Sequence, residues 1–312
     1  MKTLLFTLTI CFFSTAAFCQ LQPEKYKALQ EQEDTMKTFS KAILRGRSPE
    51  ERIEADSIFT RMFVKALSTK YSFDYPFDSL VTISKVEPPD KSFRIFTWQL
   101  FIDEATTRQH GAIQMKTEDG SLKLFPLIDR SPVMKDEEKM IGDNFNWVGA
   151  VYYNIVENEA NGRKYYTLLG FDENDFKSNR KIIDMLTFHD GKPVFGGHEF
   201  MIPGSILHPA GATRYIMVYK KNASPKLNYD PEMKMIVIEH MISETNEPEK
   251  KFTYIPDGDY EGLVWKDGKW IYIKKIFNQI TPEGKEPVPH PILDEKGNVD
   301  QTKLKNNSNQ NL

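Results

Sequence analysis

The chain of 312 residues has very few cysteines, no long apolar run beyond its first residues and little net charge. Both cysteines, Cys11 and Cys19, lie near the N-terminus, so the rest of the chain has no disulfide, no thiol nucleophile and no thiolate metal ligand. After residue 20, no stretch approaches the roughly 18 apolar residues of a membrane-spanning helix. The formal net charge is −3, and the sequence has no basic stripe. The chain therefore lacks the positive surface with which proteins usually bind nucleic acids.

Residues 1–19 have the pattern of a secretory signal peptide. Lys2 supplies the positive charge, residues 4–13 form the apolar run, and Ala17 stands three positions before an expected cleavage site after Cys19. We therefore expect export to the periplasm or the extracellular space. The alternative is a lipoprotein anchored through Cys19, which Phe18 disfavours because lipoprotein processing favours a small residue before the cysteine.

Residues 20–70 predict a helical N-terminal segment made of two helices. In the first helix, Leu29, Met36 and Ile43 recur at helical spacing. The second helix begins at a capping box, in which Ser48 is the N-cap and Glu51 is the third helical residue. Both helices are amphipathic, so each is expected to pack its apolar face on the rest of the protein.

From residue 71 to residue 277 the pattern changes to alternating apolar and polar residues, which predicts an antiparallel β-rich core domain. Asp-Gly pairs at 119–120, 190–191 and 267–268 predict tight turns. One helix is expected at 174–186, and residues 278–312 are expected to be a disordered tail. The predicted strands cover residues 80–86, 93–101, 112–116, 122–127, 147–156, 165–170, 215–220, 235–242 and 270–276.

The predicted fold class is therefore α+β, mainly β, with N-terminal amphipathic helices packed on a large antiparallel β-meander. A small propeller-like or sandwich all-β fold is the alternative, because the spacing of the strand and Asp-Gly pairs is irregular.

Six short segments together resemble a group of exported bacterial proteins without an assigned activity. The segments are AVYY at 150–153, YYTLLGFD at 165–172, KIID at 181–184, GKPVFG at 191–196, MIVIEH at 235–240 and DGKW at 267–270. They cover less than half of the chain. The resemblance implies a shared fold and export, and it carries over no catalytic residues.

Several histidines are candidate ligands for zinc, because neutral imidazole nitrogens bind this metal. The candidate metal ligands are His189, His198, His208, His240 and Glu199. His189 and His198 flank the turn predicted at 190–191 and are expected to lie near each other. No HExxH spacing supports a metal site, and His240 shares its strand face with Ile236 and Ile238, which favours a core histidine.

Two acidic turns are candidates for calcium, because oxygen ligands on alternate loop residues can converge on one ion. The residues are Asp172, Asn174 and Asp175 in the first turn, and Asp257, Asp259 and Glu261 in the second. The alternative is that these residues only stabilise turns, since Asp and Asn bond to their own backbone. Beyond this calcium or zinc, no cofactor is predicted.

The sequence contains no GxSxG elbow, Walker loop or GxGxxG turn. Its aromatic residues, among them Trp98, Trp147, Trp265 and Trp270, could provide a stacking platform for a carbohydrate or peptide, or could simply fill the core of a sheet. The leading hypothesis is a non-enzymatic binding or accessory module of the cell envelope, with an envelope protein or a glycan as partner. The alternative hypothesis is a metal-assisted hydrolase of the periplasm or cell surface.

Overall fold

The structure is a computed structural model that describes residues 21–103, 105–205 and 207–277. The predicted leader at 1–19 and the predicted tail at 278–312 lie outside the described residues. Within the described part of the chain, no helix combines the length and the apolar character needed to cross a membrane. All helices and strands of the described residues lie within one compact unit, which ends at Ile276.

The two predicted helices are confirmed: α1 spans Pro23–Arg45 and α2 spans Pro49–Leu67. The cap of α2 forms as expected, since Ser48 Oγ accepts a hydrogen bond of 3.2 Å from the Glu51 N–H. The Glu51 carboxylate in turn accepts from the Arg47 N–H at 2.7 Å, one residue earlier than in the standard capping box. The chain therefore turns sharply between the helices and packs them side by side.

The strands of the described residues are β1 Ser84–Val86, β2 Phe93–Asp103, β3 Thr106–Met115, β4 Lys123–Ile128, β5 Gly142–Asp143, β6 Val151–Ala160, β7 Arg163–Asp172, β8 Ser178–His189, β9 Lys192–Phe195, β10 Phe200–Met201, β11 Tyr215–Lys220, β12 Leu227–Asp230, β13 Met235–Ser243, β14 Tyr254–Lys266 and β15 Lys269–Ile273. They form three open sheets, so the fold class is α+β, mainly β, as predicted. The first sheet has the order β1-β2-β3-β4, the second has β5-β9-β8-β7-β6 with β11 paired to β8, and the third has β10-β15-β14-β13-β12. Every pair of these strands is antiparallel except β10 and β15.

The sheets and helices are stacked in layers, with a hydrophobic cluster between each pair of neighbouring layers. The helices pack on the first sheet, where Phe63 contacts the Phe96 ring of β2 at 4.8 Å between ring centroids. On the opposite face of β2, Ile95 belongs to the cluster between the first and second sheets. The third cluster joins the second and third sheets and includes Ile183 and Trp270.

The predicted helix at 174–186 is wrong, because this region contains the strand β8. Ile182 and Ile183 are both completely buried, and they belong to different hydrophobic clusters on the two faces of β8. A strand covered on both faces lacks the alternation of apolar and polar residues that marks a half-exposed strand. Its apolar run therefore resembles a helical face in the sequence.

Two of the three Asp-Gly turns are two-residue hairpin turns. The φ angles are 51° and 71° at Asp190 and Gly191, and 50° and 78° at Asp267 and Gly268. Positive φ at both positions is the type I′ geometry, whose twist matches that of the flanking strands. The third pair lies in the longer β3–β4 connection, where only Gly120 has positive φ.

Candidate ligand-binding cavity

A cavity of about 470 Å³ lies beside the third sheet, and we call it the His240 cavity. Strands β11, β13, β14 and β15 contribute to its walls, together with residues 202–205, 207 and 208. Most of the lining is apolar or aromatic. The residues that form this part are Ile202, Leu207, Tyr215, Met217, Met241, Tyr254 and Tyr272.

A β-bulge places His240 at the wall of this cavity. Glu239 pairs with Tyr260, but Met241 pairs with Pro256. The single residue His240 of β13 is therefore opposite three residues of β14, 257–259. Such an irregularity bends the strand and redirects the side chain. The side chain of His240 is 37% exposed, so the expectation of a core histidine is wrong.

Two carboxylates of β14 lie on either side of the His240 ring. Asp257 Oδ2 is 2.8 Å from Nδ1, and Glu261 Oε1 is 3.6 Å from Nε2. Burial opposes ionisation of Asp257, but hydrogen bonds from the Asp259 N–H and from His240 hold its pKa below the ordinary value. An ionised carboxylate only accepts hydrogen bonds, so the His240 proton facing Asp257 is on Nδ1.

Glu261 has a different environment from Asp257. Its side chain is only 14% exposed, and burial raises its pKa above the ordinary value. Tyr272 of β15 forms a hydrogen bond with this carboxyl group, and burial together with this bond raises the pKa of the tyrosine. The cavity wall thus contains a row of polar groups from Asp257 through His240 and Glu261 to Tyr272, with a gap of 3.6 Å between His240 and Glu261.

His208 occupies another part of the wall. Its ring stacks on Tyr215 with 4.1 Å between ring centroids, and its buried Nδ1 has no hydrogen-bond partner. Burial, assisted by the charge of Lys251, lowers the pKa of His208 to about 3. The imidazole is therefore neutral at neutral pH and presents a polar atom that the protein does not satisfy.

The loop that contains His208 is fixed by local hydrogen bonds. Ser205 Oγ accepts from the N–H groups of Leu207 and His208, and the Ser205 N–H donates to the His208 carbonyl at 2.7 Å. Lys251 Nζ donates to the Leu207 carbonyl at 3.2 Å and lies 3.6 Å from Glu138 Oε2. These contacts fix the loop and shape this part of the cavity wall.

Comparison of the chain with protein-family models, curated proteins and solved structures finds no match in any of the three.

The structure divides the predicted zinc ligands between two places. His189, His198 and Glu199 line a second cavity of about 770 Å³, so the two histidines that flank the 190–191 turn do share a wall. His208 and His240 line the His240 cavity instead. Among the described residues, no group of three or more histidine, cysteine, aspartate or glutamate side chains is arranged to hold a metal ion.

The first predicted calcium turn is occupied by hydrogen bonds within the protein. Asp172 is buried and forms an ion pair with Arg180 at 2.5 Å, and it also accepts from Gln109 at 2.9 Å. Asp175 accepts from the Ser178 N–H at 2.8 Å, and Asn174 donates to Ser178 Oγ at 2.7 Å. These contacts are those of a turn and a structural ion pair.

The second predicted calcium turn is part of the long strand β14. Asp259 forms an ion pair with Lys275 at 2.9 Å, whereas Asp257 and Glu261 face His240. Asp259 therefore points to a different partner from Asp257 and Glu261, which lie at opposite nitrogens of one ring, so the three carboxylates do not converge. Asp257 and Glu261 are functional candidates, but as partners of a histidine and not as calcium ligands.

Most of the tryptophans that predicted a stacking platform lie in the core. Trp147 and Trp270 are completely buried, and Trp98 is nearly so. The aromatic residues of the cavity are tyrosines that the sequence did not single out, namely Tyr215, Tyr254 and Tyr272. Only knowledge of the β13–β15 pairing would have brought them together with His240.

Proposed function

We propose that this chain is an exported binding module that holds one small, largely apolar organic molecule in the His240 cavity. The observation that carries the proposal is the cavity itself. Its volume of about 470 Å³ falls within the range of roughly 300–1,000 Å³ that is typical of small-molecule sites. Its aromatic and aliphatic walls with a few converging polar groups are also typical of such sites.

The polar groups of the wall define what the ligand must offer. His208 lines the cavity as a neutral imidazole, which provides one polar position for a ligand hydroxyl or amide. Glu261 and His240 provide a second polar position on the wall formed by β13 and β14. The tyrosine rings supply broad apolar contact between these positions. An amphipathic molecule with polar groups at separated positions fits this arrangement.

Export is the second part of the proposal. It is supported by the charged, apolar and small-residue regions of residues 1–19. Mass spectrometry of the protein from periplasmic and culture-medium fractions tests it. We expect an N-terminus at Gln20. An intact Met1 would contradict export, and an acylated Cys19 would establish the lipoprotein alternative.

The alternative of a metal-assisted hydrolase is not favoured at His240. The two ring nitrogens face different carboxylates, at 2.8 Å from Nδ1 and 3.6 Å from Nε2. Because these nitrogens point to opposite sides of the ring, Asp257 and Glu261 cannot converge with one nitrogen on a single ion.

The binding proposal is tested with N-phenyl-1-naphthylamine, a neutral dye whose fluorescence rises in apolar surroundings. We expect saturable binding to the mature protein, and weakening by about tenfold or more when Leu207→Trp fills part of the cavity. Met201→Trp is the matched control, because Met201 is 54% exposed and is not part of the cavity wall. Absence of saturable binding, or equal weakening in both variants, would refute the proposal.

A further inference from the structure

The arrangement around His240 goes beyond what binding requires. Asp257 accepts from Nδ1 at 2.8 Å and so fixes both the ring orientation and the position of one proton. In the neutral imidazole the other nitrogen, Nε2, then has a free lone pair and is the basic atom. A carboxylate at Nδ1 that leaves Nε2 basic is the arrangement by which enzymes prepare a histidine for general base catalysis.

The position of Glu261 adds a second acceptor beside Nε2. The 3.6 Å between Nε2 and Glu261 Oε1 is too long for a direct hydrogen bond. A water molecule beside this gap would donate one hydrogen to Nε2 and the other to Oε1. Its oxygen lone pairs would then point away from both acceptors, which is the orientation that a nucleophilic water needs.

The cavity supplies the remaining requirement, a place for the substrate next to that water. His240 and Glu261 line the same apolar cavity as Tyr254 and Met217. Lys274 also lines it and provides a cation for an oxygen that becomes negatively charged. The described lining contains no thiol, and the hydroxyl of Ser205 accepts from the N–H groups of Leu207 and His208 within its own loop. Water beside His240 is therefore the nucleophile that the arrangement prepares.

We infer that the His240 cavity is a hydrolytic site for carboxylic esters of small amphipathic compounds, in which His240 activates water and Asp257 positions His240. This inference rests on the proposed binding function, since the same cavity must first hold the ester.

The reaction balances without any further reactant. Water forms a bond to the ester carbonyl carbon while one of its protons moves to His240 Nε2, and the carbonyl π electrons move to the oxygen. The carbonyl then re-forms as the bond to the leaving alkoxide breaks, and Nε2 returns its proton to that oxygen. The products are one carboxylic acid and one alcohol, and His240 regains its original protonation.

The test measures hydrolysis of p-nitrophenyl butyrate by the mature protein. We expect kcat/KM to fall by roughly 100-fold or more in His240→Gln and clearly in Glu261→Gln, because general base catalysis contributes on the order of 100- to 10,000-fold. For the positioning residue, Asp257→Asn should lower kcat and leave KM unchanged. A merely structural role of Asp257 would change the melting temperature without this separation of kcat from KM.

His110 provides a matched control for the nonspecific reactivity of surface imidazoles. Its Nδ1 is 3.0 Å from Asp56 Oδ1 and its side chain is 36% exposed, close to the values of His240, but it is not part of the cavity wall. We expect His110→Gln to retain the full rate. Melting temperatures verify that each variant is folded, and Glu261→Gln carries the test if His240→Gln does not fold.

The outcomes separate this inference from the binding proposal. Dye binding without ester hydrolysis above the buffer rate would overturn the inference and leave the binding proposal intact. Equal rate losses in His240→Gln and His110→Gln would also overturn it. If neither dye binding nor hydrolysis occurs at the cavity, the proposed function itself fails.

Discussion

The indole N–H of Trp270 donates a hydrogen bond of 2.9 Å to Thr167 Oγ1, and both side chains are completely buried. Trp270 belongs to β15 of the third sheet and Thr167 to β7 of the second sheet. The bond therefore joins two layers of the protein. Tyr272, two residues after Trp270 on the same strand, lines the His240 cavity, so this contact also helps to position the cavity wall.

Replacing Thr167 by valine should destabilise the protein although the side-chain shape is kept. The variant leaves the buried indole N–H without an acceptor, which costs about 1–3 kcal/mol. Urea unfolding followed by tryptophan fluorescence measures the free energy of unfolding. Thr245→Val is the control, because Thr245 is exposed, and it should change the stability very little. Equal stability of both variants would show that the bond between the sheets contributes nothing.

The helices and hairpins could be predicted because their signals are local. The cap at Ser48 and the Asp-Gly pairs at 190–191 and 267–268 act through neighbouring backbone atoms, so the sequence alone determines them. Each predicted strand overlaps an observed strand, but β9, β12 and β14 were not predicted. Strand β8 was missed because its burial on both faces depends on two other sheets, which local periodicity does not contain.

The cavity could not be predicted for a related reason. Residues 256–259 contain proline, aspartate and glycine, which indicate a turn, although they lie within the strand β14. Asp257 and Glu261 were therefore interpreted as loop ligands for calcium. They lie beside His240 because of the bulge in β13. The bulge depends on how β13 and β14 pair, which the local sequence does not show.

Gly170→Ala should destabilise the second sheet through crowding. A Cβ atom at Gly170 would lie 2.7 Å from the Cβ of Ala150 and 3.0 Å from a ring carbon of Tyr152. Overpacking of this kind costs about 1–3 kcal/mol. The second substitution Ala150→Gly removes the closest atom, so the double variant should be more stable than the sum of the single effects predicts. Additive effects in urea unfolding would contradict the proposed clash.

Calcium is expected to leave the stability of the protein unchanged. The carboxylates of Asp172 and Asp259 are engaged by Arg180 and Lys275, at 2.5 Å and 2.9 Å respectively. A ligand that binds only the folded state must raise the melting temperature. Melts with millimolar calcium and with a chelator should therefore agree within about 1 °C. A higher melting temperature in calcium would restore the predicted calcium site and direct attention to Asn174 and Asp175.

His208→Phe should make the protein less sensitive to acid. The pKa of His208 is lowered to about 3 in the folded protein, mainly by burial, whereas a histidine in the unfolded chain titrates near 6.5. Between these pH values the unfolded chain binds more protons, so the free energy of unfolding falls as the pH falls, by up to about 1.4 kcal/mol per pH unit for this group.

Phenylalanine keeps an aromatic ring against Tyr215 but cannot bind a proton. The wild-type protein should thus lose stability relative to His208→Phe as the pH decreases from 7 toward 4, while the difference between the two proteins should stay constant above pH 7, where His208 is neutral in both states. Urea unfolding at a series of pH values measures the free energy of unfolding of both proteins. Taking the difference between them cancels the pH dependence that comes from the carboxylates, because both proteins contain the same ones. If the two curves are parallel across this range, the pKa of His208 is the same in the folded protein as in the unfolded chain, and the prediction is wrong.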